Sequence, residues 1–316
     1  MTVALLFSPQ GSQAVGMGSD LAEAVPAARA AFDEADAVLG WSVSDLAWNG
    51  PEERLNDTRW TQPALLTASV AAFAALRARL EVSPAFVAGH SVGEYAALVA
   101  ADVLAFVDAL RLVARRGELM AAASTSGGMT AVIGLDRQAV ERALEAVASP
   151  ADVVIANDNA PGQVVVSGTT DGLATVEEAL RTAGARRLIP LRVSGPFHSP
   201  HMAPVSDALA EAFESVAWRE AGVPVISNVT AEPERDAGKL RNLLAEQVRS
   251  PVEWVASVRR MLDEGVDAFV ECGPGGALTG MVKRIAPQAR TLNVSDVASL
   301  AATVAALSGV PAEASV

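Results

Sequence analysis

The run AFVAGHSVGEYAALVA, from Ala85 to Ala100, changes its hydrophobic period part-way through. Its first residues form a short apolar stretch with no polar break, the pattern of a fully buried strand; beyond Gly93 the apolar positions recur at helical spacing. Only Ser91 and its two neighbours, set between Gly89 and Gly93, separate the two, so the chain must turn sharply at Ser91. In that setting G-x-S-x-G (Gly89 to Gly93) reads as a nucleophile elbow, a tight, strained turn that lifts the Ser91 hydroxyl clear of the sheet. A plain glycine-rich turn would share the five letters; the matched strand and helix favour the elbow. The Val92 N–H, at the start of the helix, is then left to donate to a developing oxyanion.

A strand buried on both faces needs partners and cover. VALLFS near the start reads as a strand, GSDLAEAVPAARAAFDEADAVL as a helix, and NDTRWTQPALLTASVAAFAALRARL as another, capped by Asp57 or Thr61. AFVDALRLVARRGELMAAA is a further helix, and strands alternating with helices imply a parallel sheet covered on both sides. After a flexible STSGG the rhythm changes. Strand MTAVIGL, helix DRQAVERALEAVA, strand DVVIAND, strand QVVVSG, helix TTDGLATVEEALRTAG and strand RRLIPLRV give the order βαββαβ, the ferredoxin-like pattern, over residues 127–194. From about Gly195 helices and strands alternate again, so the larger unit, 1–126 and 195–316, is split around an insert. After Asp296 the tail starts as a helix, and SGVPAEASV frays.

With 316 residues, 51% of them hydrophobic, the chain can bury a core without staples. Its one cysteine, Cys272, forbids an internal disulfide and fits a reducing compartment; the first residues lack the marks of a secretory signal, and a cytoplasmic location is expected. The nearly uncharged Ala64–Leu76 run is bounded by Pro63 and Arg77, too short to span a membrane, and reads as a buried helix. A net charge of −13 leaves no basic stripe for phosphates, which excludes nucleic acid.

A serine hydroxyl is a weak nucleophile until a base takes its proton. The chain holds three histidines. His90 adjoins the serine, and side chains diverge at an elbow, which assigns it to structure. His198 and His201 lie in VSGPFHSPHM, where the chain re-enters the larger unit and where clefts form. One of these two is the base, and spacing does not choose between them. No motif marks a carboxylate to orient it.

Nine blocks follow one another along the chain: FSPQGSQAVGMG, TQPAL, GHSVGEYAAL, RRGELM, NDNAPGQVVVSG, SGPFHS, SNVTA, SPVEW and ECGPGGALTGMVKR. In this order they resemble the malonyl-CoA:acyl-carrier-protein transacylases, and are similar to the acyltransferase domains of fatty-acid and polyketide synthases. The resemblance covers Val3 to about Asn293 and implies an α/β-hydrolase-like core around the ferredoxin-like insert. It implies that malonyl-CoA acylates Ser91 and that His198, in PFH, is the base. It implies that Arg116, directly before Gly117, grips the free malonyl carboxylate. Gln10 and Val92 would form the oxyanion hole through their backbone N–H groups, and the Gln247 carbonyl would orient the imidazole in place of an aspartate. Asn159 and Phe197 would line the pocket. Physical chemistry gives Arg116 independent support: a carboxylate entering a buried cleft needs a desolvation partner, and guanidinium offers a bidentate fork. Its neighbour Arg115 falls on another helix face and is assigned to solvent.

Two departures from the family pattern stand out. Pro9 fills a glycine slot before Gln10, which reduces backbone freedom there. Asp102 stands where a glycine often ends the helix after the elbow. ECGPGG is read as a structural strand-to-helix turn rather than a phosphate cradle.

The expected activity is therefore a ping-pong malonyl transfer, with CoA as product, to the phosphopantetheine thiol of holo acyl carrier protein, in fatty-acid or polyketide biosynthesis. No metal or bound organic cofactor is required. An acidic carrier would dock through Arg186, Arg187, Lys283 and Arg284. The rival is a serine hydrolase or thioesterase, in which water replaces the thiol; a carrier-binding scaffold would have no use for Ser91, His198 and Arg116 together.

Overall fold

Val3–Phe7 (β1), five apolar residues buried on both faces, lies inside a six-stranded sheet. The computed structural model describes residues 1–123, 127–147, 149 and 152–309. Further strands are Phe86–Gly89 (β2), Gly127–Ile133 (β3), Val153–Ala160 (β4), Gln163–Thr169 (β5), Arg187–Pro190 (β6), Val225–Ile226 (β7), Pro233–Glu234 (β8), Ala268–Cys272 (β9) and Arg290–Val294 (β10). The large sheet runs β10-β9-β1-β2-β7-β8 and is parallel except for β8. Alternation along β1 divides its side chains: Leu5 and Phe7 enter a core shared with helices Pro26–Leu39, Thr58–Arg79 and Phe106–Ala122. Ala4 and Leu6 enter a second core with Trp254, Val258 and Leu278.

Phe7 pairs with Gly89, so β1 and β2 end together, and the segments that follow them leave the same carboxyl edge of the sheet. In parallel α/β sheets that edge is where ligands bind.

The second sheet is antiparallel, in the order β4-β5-β3-β6. Both its faces are covered, which explains the continuous apolar run in QVVVSG. Val164 and Val166 pack under helices Arg137–Glu145 and Thr170–Thr182, while Val165 faces the main core with Met129 and Ala131. Backbone bonds join the two sheets' territories: Val252 N–H donates to Ala156 O at 2.8 Å and Asp158 N–H to Val252 O at 3.0 Å.

Several elements differ from the sequence expectation. The helix expected across GSDLAEAVPAARAAFDEADAVL is two, Ser19–Ala24 and Pro26–Leu39, because Pro26 pushes Val25 into the extended region at φ −131°. VPVISNV contributes only the two-residue β7, and helices Val43–Asn49 and Glu52–Leu55 and strand β10 had no anticipated counterpart. Asp57, not Thr61, caps the long helix by accepting from Arg59 N–H. Asp102 takes φ 61°, the left-handed conformation that a glycine would supply. Residues 124–126 of STSGG and the expected frayed end after Gly309 lie outside the described residues. No helix among the described residues is long and apolar enough to cross a membrane.

Candidate active site

Ser91 sits at φ 53°, left-handed for a residue with a side chain, between β2 and helix Gly93–Ala100. Such a backbone costs about 1–3 kcal/mol and persists only where neighbours hold it. Glycine is required on both sides. A Cβ on Gly89 would lie 2.0 Å from the Gly93 carbonyl, and one on Gly93 would lie 2.2 Å from Phe7 O. Side chains from the far half of the chain then satisfy the turn. Ser91 N–H donates to Asn228 Oδ1 at 2.7 Å, Asn228 Nδ2 donates to Gly89 O at 2.6 Å, and Gln247 Nε2 donates to Ser91 O at 3.0 Å.

His198, also left-handed at φ 57°, places Nε2 2.9 Å from Ser91 Oγ. Its Nδ1 faces two carbonyls, Gln247 O at 2.9 Å and Ser250 O at 3.2 Å. Carbonyls only accept, so the proton is assigned to Nδ1 and Nε2 is left to receive from the hydroxyl. Burial first, and then the charge of Arg116, pushes the imidazole down to about 3, so it is neutral near pH 7. His201 lies in a single 3-10 turn, Pro200–Met202, and does not line the cleft.

Arg116 is 1% exposed, yet no carboxylate bonds it among the described residues. One outer nitrogen donates to Gln62 Oε1 at 2.6 Å; the other donates to Gln247 Oε1 at 3.1 Å and to Ser91 Oγ at 3.1 Å. The Tyr95 ring lies 5.8 Å from the guanidinium carbon. Glu94, 2% exposed, stands one contact further back, where burial pushes its carboxyl up to about 7. A buried cation bonded among the described residues to neutral oxygens alone, at the nucleophile itself, is suited to an incoming anion.

The cleft above these groups has a volume of about 1290 Å³ and is lined by Gln10, His90, Ser91, Met129, Phe197 and His198 among others. Neither the Gln10 nor the Val92 N–H donates to another group among the described residues. Gln10 is anchored by its side chain, whose Nε2 donates to Thr58 Oγ1 at 3.0 Å. Pro9 is accommodated, with Gly11 turning the chain at φ 99°.

A model of the acyl transferase domain matches residues 4–305. The malonyl CoA-acyl carrier protein transacylase of Bacillus subtilis is 43% identical over 297 residues, 93% of each chain. The chain belongs to the malonyl-CoA:acyl-carrier-protein transacylase family. An acyl carrier protein S-malonyltransferase from Vibrio cholerae superposes with a TM-score of 0.92 at 42% identity, covering 96% of this chain and 100% of that one. A malonyl-transacylase solved in complex with a type II polyketide synthase acyl-carrier protein gives 0.93 at 41%, covering 98% and 100%.

Of the residues expected from the transacylase pattern, Ser91, His198, Arg116 and Gln247 are brought into one hydrogen-bonded group. Asn159 is placed differently from its expectation. Its Oδ1 bonds His90 Nε2 at 2.8 Å, behind the cleft wall, and the asparagine on the wall is Asn157. The cause is the pleat of β4, interrupted by a register shift between Asp158 and Ala160. Arg115 is exposed and faces Glu118 at 3.5 Å. In ECGPGG the Glu271 carboxylate already accepts from the N–H groups of Leu278 and Thr279, which occupies that helix end. Sequence reading assigned no role to Gln62, Glu94 or Asn228. All three lie inside blocks of the family pattern, in TQPAL, GHSVGEYAAL and SNVTA, which was the available signal.

Proposed function

We propose that this chain transfers malonyl groups from malonyl-CoA to the phosphopantetheine thiol of holo acyl carrier protein through a malonyl-Ser91 ester. The observation that carries the reading is the pair of groups meeting at one oxygen: neutral His198 Nε2 at 2.9 Å and buried Arg116 at 3.1 Å from Ser91 Oγ. As Oγ attacks the thioester carbonyl, its proton passes to His198 Nε2, and the Gln247 and Ser250 carbonyls steady the imidazolium. The oxyanion accepts from the Gln10 and Val92 N–H groups. The carbon–sulfur bond breaks, and the CoA sulfur leaves with the proton held by His198. The carrier thiol then gives its proton to His198 and attacks the ester, and Ser91 recovers the proton as it leaves. No step needs a metal or an organic cofactor.

Arg116 supplies selectivity, since an unpaired malonyl carboxylate in this cleft would cost several kcal/mol. Phe197, 3% exposed, shapes the acyl pocket, and Asn159 acts through His90. The strand order β4-β5-β3-β6 supports a ferredoxin-like insert at 127–194, and the parallel sheet with its elbow supports an α/β-hydrolase-like core at 1–126 and 195–316. We place the reaction in the cytoplasm, where CoA thioesters are made. Carrier docking falls to Arg186, Arg187 and Lys283 together with Arg192 on the cleft rim; Arg284 bonds Gln163 and Pro161 O instead, tying its helix to the second sheet.

Intact-mass measurement after brief exposure to malonyl-CoA tests this reading. Wild type is expected to gain one malonyl adduct and Ser91→Ala none. Adding holo carrier should move the adduct to the carrier. Release of free malonate at the same rate with and without carrier would instead establish the hydrolase alternative.

A further inference from the structure

Glu94 is a buried carboxyl that the transfer reaction does not use and that does not line the cleft. It stands in the first turn of helix Gly93–Ala100, and its Oε2 accepts from Gln247 Nε2 at 2.6 Å and from Asn228 N–H at 3.4 Å. Gln247 is wholly buried, and its side chain reaches three groups. Nε2 also donates to Ser91 O at 3.0 Å, while Oε1 accepts from Arg116 at 3.1 Å.

We propose that Glu94 is a positioning residue for malonyl selection: it holds the Gln247 amide in the one orientation that fixes Arg116. The inference rests on the transacylase reading. An amide has two orientations of nearly the same shape, which only its partners distinguish. Turned over, the Gln247 oxygen would meet two acceptors, Glu94 Oε2 and Ser91 O, and its NH₂ would meet the Arg116 N–H donors. The Ser91 carbonyl alone is a weak selector; a carboxyl acceptor at 2.6 Å is the stronger one. With Gln247 Oε1 in place, Arg116 is held at both outer nitrogens, because Gln62 Oε1 accepts from the other at 2.6 Å. The fork therefore stands ready beside Oγ before substrate arrives. Gln247 orients His198 through its backbone carbonyl, which an amide flip leaves untouched. Glu94 thus acts on the carboxylate grip and not on the base.

The test compares Ser91 acylation by malonyl-CoA and by acetyl-CoA in the full chain, with the acylable fraction counted by intact mass. Glu94→Ala is expected to lower the malonyl-to-acetyl ratio of kcat/KM by roughly tenfold or more, the effect of loosening a charged hydrogen bond, mainly through KM for malonyl-CoA. The pH profile of acylation by acetyl-CoA should not move. Glu94→Gln keeps an acceptor oxygen and should recover most of the ratio. Should Glu94→Ala fold poorly, Glu94→Met, which fills a similar volume without an acceptor oxygen and leaves the Gln247 bond to the Ser91 carbonyl in place, is expected to show the same selective loss. Equal loss of both acyl groups, or a Glu94→Gln variant as impaired as Glu94→Ala, would overturn the proposal. A wild type that malonyl-CoA fails to acylate would overturn the transacylase reading itself; an acylated wild type whose selectivity survives these variants overturns only the role of Glu94.

Discussion

The two sheets meet the cleft in different ways. On the six-stranded side, the elbow and its surroundings are bonded group to group: Asn228, Gln247, Arg116 and His198 all reach Ser91 or its backbone. On the four-stranded side, the contribution is mainly shape. Met129 lies on the wall, and the one polar side-chain link to the elbow among the described residues is Asn159 to His90. In the proposed reaction charge develops on the attacked carbonyl oxygen and on the imidazole that takes the Oγ proton, and fixed dipoles lower the barrier only where charge changes. A wall needs complementarity, which tolerates more. Substitutions on the floor should therefore be steep, and those on the wall shallow.

The largest effect should come from Arg116. In the reading proposed above, Arg116→Ala removes the cation that meets the malonyl carboxylate, and leaving a buried charge unpaired costs about 3 kcal/mol or more, roughly a hundredfold or more in kcat/KM. Acetyl transfer, with no carboxylate to satisfy, should fall far less, so that relative acetyl transfer rises. Competition between the two CoA thioesters reads this directly. A malonyl preference that survives would remove Arg116 from its role and flatten the contrast between floor and wall.

A paired experiment sharpens the comparison at intermediate size. Asn228→Ala frees the Ser91 N–H and the Gly89 carbonyl at a left-handed residue. Two unsatisfied buried groups and a slack elbow are expected to cost about 2–4 kcal/mol of stability and to slow acylation by both thioesters. Asn159→Ala breaks one bond to His90, which still packs on Trp254 at 5.4 Å between ring centroids. A few-fold change is expected there. Denaturation midpoints and acylation rates for the two variants, measured together, decide it; similar losses in both would mean that the wall also positions the chemistry.

What the sequence made legible follows the same division. Gly89, Ser91 and Gly93 announce the elbow within five residues, because the close approaches that demand glycine are local. Apolar runs and their periods gave the two kinds of sheet and most of the helices. The break before Pro26 is legible in the proline itself, which forces Val25 into the extended region. Strand β10 was not legible: Arg290–Val294 is only partly buried, and its pairing with β9 is what makes it a strand. The roles of Asn228 and Gln247 depend on contacts across 137 and 156 residues, which no local spacing encodes. Resemblance to a family marked Gln247 for its carbonyl. Its side chain, shared among Glu94, Ser91 and Arg116, emerged only from the packed structure.

The smallest expected effect is an absence of change with pH, and it bears on both sides of the cleft. His198 on the floor is pushed down to about 3 and His90 beside the wall to about 4, in each case chiefly by burial. In the unfolded chain both titrate near 6.5. Below that pH the unfolded state binds more protons than the folded one, so the stability these groups supply is complete above it and is lost as pH falls toward their folded values. Glu94 has the opposite sign: raised to about 7 from 4.5, it adds stability at low pH that disappears as pH rises through 7. His198 consequently stays neutral through the weakly acidic range, and kcat/KM for Ser91 acylation by acetyl-CoA, which has no carboxylate for the grip that Glu94 sets, should stay flat from pH 7 down to about pH 5 while the fold holds. Stopped acylation with acetyl-CoA, run beside a denaturation series at each pH, separates the two quantities. An acid limb centred near 6.5 in a protein that is still folded would show an imidazole titrating as though in water, and a buried His198 held neutral would then be the wrong description of how Ser91 is activated.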